Sequence, residues 1–370
     1  MSEVHAARRS RLRARCMPAG SAAVLISRPA NVRYLAGPAA PAGSVLLLGP
    51  SGEDVLVSHP EPGRGSARAA LPDDGLSWSE LPAEADPAVR AASLAAEAGA
   101  EVLALEEHHL TVARHRALAG GFPRIRLSDL GCAVEEQRLV KDEEEIAALR
   151  VAAEITDRAL GELLESILVG RTERHLALEL ERRLVDHGAD GPAFPTSVGT
   201  GSNSGLAGHR PTDRRVEEGD FLSVRLGARF GGYRCQIGRT FVIGTSPADW
   251  QVELYDLVFA AQRAGREALA PGAECRAVDR AARQVLDAAG HGQALGPVTG
   301  HGVGLEIGED PRLSPAAMGR LGACVPVTVE PGVHLPGRGG VRIDDTLVVR
   351  PMADGGPELL TITTKELLAL

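Results

Sequence analysis

The sequence is nearly without lysine. Only Lys141 and Lys365 occur, so 38 of the 40 basic residues are arginine. Together with the many Ala and Gly residues, that bias reads as coding composition rather than as an arginine-specific function. No apolar run approaches the ~18–20 residues a membrane span requires, which excludes a spanning helix and makes a soluble chain the expectation. Cysteine is sparse: Cys16, Cys132, Cys235, Cys275 and Cys324 are 40 or more residues apart and odd in number. That spacing offers neither a CxxC metal knuckle nor a disulfide framework, and the cytoplasm is the expected compartment. Positive charge is in deficit overall. The formal net charge of −9 spreads a negative field that argues against non-specific nucleic-acid binding.

What is present is ordinary globular composition, 44% hydrophobic and 24% charged, over 370 residues. Single cores stop growing at roughly 250–300 residues, so two domains are expected. Arg8, Arg9, Arg11, Arg13 and Arg15 resemble the start of an export signal, but Pro18 and Gly20 interrupt and Ala22–Ile26 is too short an apolar region. A solvated helix face is expected there instead.

The first third alternates between α and β. Ala22–Ile26, Ser44–Leu48, Asp54–Ser58 and Val102–Leu105 read as strands, the middle pair joined by the turn Gly49-Pro50-Ser51-Gly52. Residues 61–100 read as loops with a surface helix, and Leu110–Leu118 as a helix. Glu106-Glu107-His108-His109 is expected to be a solvated turn, since adjacent histidines point apart. Near residue 137 the texture changes. Asp142 and Glu145 have capping-box spacing ahead of a helical repeat, and Thr172 opens a second helix that Gly188 ends. Phe221–Ala228 and Tyr233–Ile243 read as a long hairpin, followed by helices at about 249–269 and 276–289. Gly302–Ile307, Cys324–Glu330 and Val341–Val349 read as strands. On the hairpin, Cys235 is expected to be a small buried hydrophobe with no histidine placed to activate it.

Several of these segments carry a specific resemblance. They are Lys141–Ile146, Gly188–Thr196, Gly238-Arg239-Thr240-Phe241, Thr299–Leu305, Glu330-Pro331-Gly332 and Gly339–Asp345, with Asn31–Gly37 in the N-terminal part. The chain resembles the creatinase/aminopeptidase P/prolidase group (family M24) of pita-bread proteins over nearly its whole length. The resemblance implies an α/β (α+β) chain: a creatinase-like α/β domain over 1–136 and a pita-bread domain over 137–370. It also implies a homodimer and a cleft for a peptide or small molecule.

Active members of that group bind two divalent metals through two Asp, one His and two Glu. In the matching contexts here the first Asp is Arg225, in Arg225-Leu226-Gly227-Ala228, and the second is Gln236, in Cys235-Gln236-Ile237-Gly238-Arg239-Thr240-Phe241. His301 and Glu330 match their positions, and the last Glu is Asp344. Four carboxylates in the group balance two dications. Here Glu330 and Asp344 bring two negative charges and Arg225 one positive, leaving a net of one negative charge. A guanidinium stays charged and cannot ligate a metal, so none is expected to bind, and no cofactor. The group's Pro-His-Gly histidine is displaced to His209 in Gly208-His209-Arg210-Pro211, and its His-Glu pair reads Gly308-Glu309.

Two readings of Arg225 stay open. It is a structural plug locked onto Glu330, Asp344 or both, or it binds an anion in a repurposed pocket with His301 and Glu330 nearby. A single metal on His301, Glu330 and Asp344 has enough ligands on paper. For the whole chain the expected function is a non-catalytic binding or regulatory pseudo-peptidase. The alternatives are a metal-independent enzyme on a small C–N substrate or biosynthetic intermediate, and an Xaa-Pro aminopeptidase or dipeptidase.

Overall fold

The computed structural model describes residues 2–16, 21–50, 52–60, 75–166 and 168–370. The readings of Pro18, Gly20, Ser51 and residues 61–74 lie outside the described residues. The chain divides into two compact units, Met1–Arg138 and Leu139–Leu370. No helix among the described residues is long and apolar enough to cross a membrane.

The first unit is built on a six-stranded mixed sheet. Its strand order is Leu76–Glu80, Asp54–Ser58, Val45–Leu48, Ala22–Ile26, Val102–Leu105, Arg126–Asp129. All four expected strands lie inside the sheet, and Val45–Leu48, Ala22–Ile26 and Val102–Leu105 are buried because their residues are almost all Ala, Val, Leu and Ile, the pattern of strands covered on both faces. Two edge strands, Leu76–Glu80 and Arg126–Asp129, were not expected, since their half-exposed polar sequences carry no strand periodicity.

Two further expectations are corrected here. The Ala-rich helix Pro87–Glu97 is no surface helix: Ala88, Ala91, Ala92 and Ala95 are fully buried against the sheet. Alanine at helical spacing makes a close-packing face that is easily read as neutral. The arginine-rich helix Ser2–Cys16 forms, but Arg8 and Arg9 are buried. Arg9 donates to the Asp54 carboxylate at 2.7 Å and to the Leu35 carbonyl at 2.9 Å, while Arg8 stacks over the Tyr34 ring. Glu106 is likewise fully buried, accepting from the Ser27 and Arg28 amides and from Asn31, so that part of the supposed turn is a structural anchor.

In the second unit, helix Glu143–Leu164 starts at an Asp142/Glu145 capping box and buries Ile146, Leu149, Ala153, Leu160 and Leu163. Helix Glu173–Asp186 is capped by Thr172 and is followed by Gly188 at a φ of 98°, where only glycine is unstrained. The hairpin strands Phe221–Leu226 and Ile237–Val242 pair antiparallel in register Arg225↔Gly238, with Ser197–Thr200 on the outer side of the first. Helices Asp249–Glu267 and Cys275–Ala288 pack against the last strands. A five-stranded sheet follows the order Ile307–Leu313, Gly300–Val303, Pro326–Val329, Asp345–Val348, Glu358–Leu359.

The stretch expected as one strand, Val341–Val349, is broken. Gly339–Arg342 pairs with Gly332–Leu335 in a separate ribbon, and Asp345–Val348 joins the larger sheet. At the break, Asp344 forms an isolated bridge with Gly238 of the hairpin. The break is what turns Asp344 toward the hairpin. Arg239, fully buried beside it, donates to the Asp344 and Gly238 carbonyls, to Thr363 and Thr364, and to the Asp345 carboxylate. Both lysines are tied down in the same unit: Lys141 contacts Glu309 at 3.0 Å and Lys365 contacts Asp345 at 3.1 Å.

Candidate functional site

The hairpin supplies Arg225 from its first strand and Gln236 from just ahead of its second, the sheet supplies His301 and, at the end of a strand, Glu330, and the strand break supplies Asp344. Gln236 sits among the other four, fully buried. Its carbonyl oxygen accepts from Arg225 Nη2 at 2.7 Å, and its amide nitrogen donates to Glu330 and, at 2.9 Å, to Asp344. A glutamine can do both at once, which an aspartate cannot. His301 Nε2 lies 3.4 Å from Glu330 Oε1, and its Nδ1 donates to the Gly302 carbonyl at 3.0 Å, which leaves Nε2 to face the carboxylate.

The residue that sequence reasoning missed is Arg342. Its Nε donates to both oxygens of Asp344 at 2.7 Å, and its Nη2 donates to Glu330. Arg342 stands two residues before Asp344, a spacing that in a continuous strand would put both side chains on one face, and that spacing was the available signal. The charge count changes with it. Glu330 and Asp344 give two negative charges, Arg225 and Arg342 two positive, and the cluster sums to zero.

Arg225 is held more loosely. Its closest carboxylate oxygens are 3.6 Å away on Asp344 and 3.9 Å on Glu330, and its guanidinium stacks on the Phe194 ring at 4.5 Å. Burial, and then the nearby Arg342 charge, push its pKa down, while burial at Arg342 is outweighed by Asp344 and Glu330, which raise its pKa. Burial also works against the Glu330 charge, but Arg342, His301, Arg225 and Gln236 outweigh it and hold that carboxyl below its usual range. Asp344 goes the other way: burial, helped by the adjacent Glu330 and opposed by Arg342, pushes it up.

Gly238 is required by this packing. A Cβ there would lie 2.5 Å from the Asp344 carboxyl carbon, which Arg342 and Gln236 hold in place.

In front of the cluster lies a cavity of about 230 Å³. Its walls include His209, Arg210, Arg225, His334 and Arg342, and none of the described lining residues is acidic. Burial, reinforced by Arg342, keeps the His334 pKa below its ordinary value, favouring the neutral ring. His209 reaches the cavity wall, but its Nε2 donates to Glu173 at 2.8 Å. Glu173 is fully buried and also accepts from the Thr200 and Thr212 amides, the Thr212 hydroxyl and Asn203. Glu309 of Gly308-Glu309 is engaged by Lys141 rather than by the cluster. Cys235 is fully buried 3.0 Å from Thr156 Oγ1, and burial pushes its thiol up to about 12, so it has no nucleophilic role.

A pair of dications does not fit this arrangement. Two positions of the implied ligand set hold a guanidinium and an amide, and both remaining carboxylates are bonded by Arg342. His301, Glu330 and Asp344 are the side chains left with metal-ligating chemistry.

Comparison with known proteins adds the following. The sequence pattern described as metallopeptidase family M24 matches residues 147–351, and that of the creatinase/prolidase N-terminal domain matches residues 8–140. An Xaa-Pro dipeptidase of Pyrococcus horikoshii is 32% identical over 346 residues, 94% of each chain. The Xaa-Pro dipeptidase of Pyrococcus furiosus is 38% identical over 235 residues, 64% of this chain and 66% of that one. In structure, the Xaa-Pro dipeptidase from Bacillus anthracis superposes with a TM-score of 0.91 at 30% identity, covering 99% of this chain and 100% of that one.

These likenesses correct two expectations. A non-catalytic pseudo-peptidase is displaced by relatives that are dipeptidases along nearly their whole length. Arg225 does pair with both carboxylates, at 3.6 and 3.9 Å, but it also borders a cavity rather than filling the space. The expectation of no cofactor is displaced too, since the matching family is by description one of metallopeptidases.

Proposed function

The chain belongs to metallopeptidase family M24, as a creatinase/prolidase-type member with a pita-bread domain, and from that membership we propose that it is an Xaa-Pro peptidase acting on short peptides. The observation that carries this reading is the likeness to Xaa-Pro dipeptidases over 94% of the chain in sequence and 99% in structure. The cavity agrees with it in size and sign. At about 230 Å³ it lies below the roughly 300–1,000 Å³ of drug-sized sites, and its basic walls suit the terminal carboxylate of a dipeptide.

The chain's own side chains have separable parts in this reading. Arg225 and Arg342 place positive charge beside the cavity, suited to a carboxylate or a developing oxyanion. His301, with Nδ1 donating to the Gly302 carbonyl, turns Nε2 towards Glu330 as its nitrogen free to accept a proton or bind a ligand. A metal in this family acts as a Lewis acid and activates water, and His301, Glu330 and Asp344 are the side chains that offer it ligands. A cytoplasmic homodimer belongs to the same proposal, supported by the family likeness and by five cysteines without a disulfide.

The test is proline release from Ala-Pro, Gly-Pro and Ala-Pro-Ala, with manganese, cobalt or zinc added and with chelator. Release in any metal condition supports the proposal, and none in every condition ends it. A second reading has its own observation, the guanidinium of Arg225 at an expected ligand position. It is a metal-independent enzyme on a small C–N substrate, and hydrolysis indifferent to chelator would favour it.

A further inference from the structure

The cleft contains a guanidinium whose hydrogen-bonding groups its surroundings leave largely unpaired. Arg342 makes the close contacts to both Asp344 and Glu330, so Arg225 completes the charge balance of the cluster from a distance, without hydrogen-bonding either carboxylate. Among the described residues Arg225 makes one hydrogen bond, from Nη2 to Gln236, out of the five N–H groups a guanidinium carries. Its Nε is buried without a hydrogen-bond partner, the nearest carboxylate oxygen being Asp344 Oδ2 at 3.6 Å. A buried donor left unpaired is costly, and native proteins rarely tolerate one unless a ligand or water completes it.

The group also faces suitable space. Arg225 lines the 230 Å³ cavity together with Arg210 and Arg342, two histidines, and no acidic side chain among the described residues. Phe194 stacks on the guanidinium and fixes its plane, the preorganisation that a bidentate contact needs.

We propose that Arg225 is an anion-binding residue which takes the carboxylate of a small organic acid or of a peptide C-terminus in this cavity. The proposal deepens the peptidase reading and rests on it for the substrate class. The planar fork accepts a carboxylate through two parallel N–H groups, and a lysine in its place would offer only a point charge. Gln236 assists by occupying Nη2 and holding the guanidinium off the two carboxylates.

The experiment is calorimetric binding of L-proline, N-acetylproline and succinate to the full chain, with N-acetylproline methylamide as the uncharged control. Wild type, Arg225→Gln and Arg225→Lys are compared, each with its thermal melt. The acids bind wild type, the methylamide binds at least about tenfold more weakly, and Arg225→Gln loses at least about tenfold in acid affinity, as expected when a charge-assisted contact goes. Arg225→Lys falls between, and affinity drops with added salt. The preferred acid identifies the source of the carboxylate. Equal binding of the methylamide, wild-type acid affinity in Arg225→Gln, or no acid binding at millimolar concentration each overturns the proposal. If Arg225→Gln does not fold, Arg225→Lys and the wild-type salt dependence decide. Proline release from Ala-Pro is scored separately. Acid binding without hydrolysis ends the peptidase reading and leaves this site standing, and hydrolysis without Arg225-dependent binding does the reverse.

Discussion

Replacing Glu173 by Gln should loosen the wall of the cleft without touching the charged cluster. Glu173 is fully buried and accepts five hydrogen bonds. Oε1 takes the Thr200 amide at 2.8 Å and Asn203 at 3.0 Å, and Oε2 takes His209 at 2.8 Å and Thr212 twice, at 2.9 and 2.7 Å. A glutamine must present an NH₂ group to one of these two sets. At best two donors then lose their acceptor, each worth about 1.5–3 kcal/mol when the acceptor is charged, or about 3–6 kcal/mol together. For a unit of this size that corresponds to a fall in Tm of roughly 6–24 °C. Thermal denaturation followed by circular dichroism measures it, and a shift within about 2 °C would refute the accounting. The pH dependence carries a second check. Burial raises the Glu173 pKa, but the Thr200, His209 and Thr212 hydrogen bonds outweigh it and the net shift is downward. A depressed carboxyl stabilises the fold fully above its unfolded pKa of about 4.3 and loses that contribution as pH falls through the folded value. The difference between wild type and Glu173→Gln should therefore be constant near neutrality and shrink below about pH 4.

Arg239→Ala should cost about 2–4 kcal/mol in urea denaturation, because it leaves several buried carbonyls unpaired and removes one donor from Asp345, which keeps Lys365, Gln262 and Thr361. A loss under about 1 kcal/mol would show that the Arg239 contacts are incidental. The double variant Arg225→Asp/Gln236→Asp changes the cluster from zero to three negative charges, counting four carboxylates against Arg342. Elemental analysis after manganese loading should find more metal per chain than in wild type, and an unchanged ratio would refute the electrostatic reasoning. Iodoacetamide should alkylate exposed Cys132 in the native protein and spare Cys235, which is fully buried with its thiol pushed up to about 12. Native-state modification of Cys235 would contradict its placement.

The parts of the fold legible in sequence are those with local, self-contained signals. The Asp142/Glu145 capping box, the Thr172 cap and the hairpin around Phe230-Gly231-Gly232 each specify their element over a few residues. The misses are long-range. Arg8 and Arg9 read as solvated because the partner that buries Arg9, Asp54, lies 45 residues away on a strand. Alanine at 88, 91, 92 and 95 contributes little hydrophobic contrast, so its packing face shows only against the sheet. In the site, the residues at the ligand positions were nameable from motif context, and their partners were not. Whether Arg225 or Arg342 takes the carboxylates depends on the strand break at Ile343-Asp344, which the strand-like, β-branched sequence of Val341–Val349 conceals. His334 and Glu173 enter the cleft through packing alone and carry no motif of their own.

The two tethered lysines make the chain an unusual substrate for amine chemistry. Lys141 has a side chain 1% exposed against Glu309, and Lys365 is 15% exposed against Asp345. An acylating reagent or a lysine-directed protease thus finds almost no ε-amine on the folded surface of residues 139–370. Each becomes available when its ion pair opens, so the rate at which these two sites are modified is a built-in clock for opening of that unit.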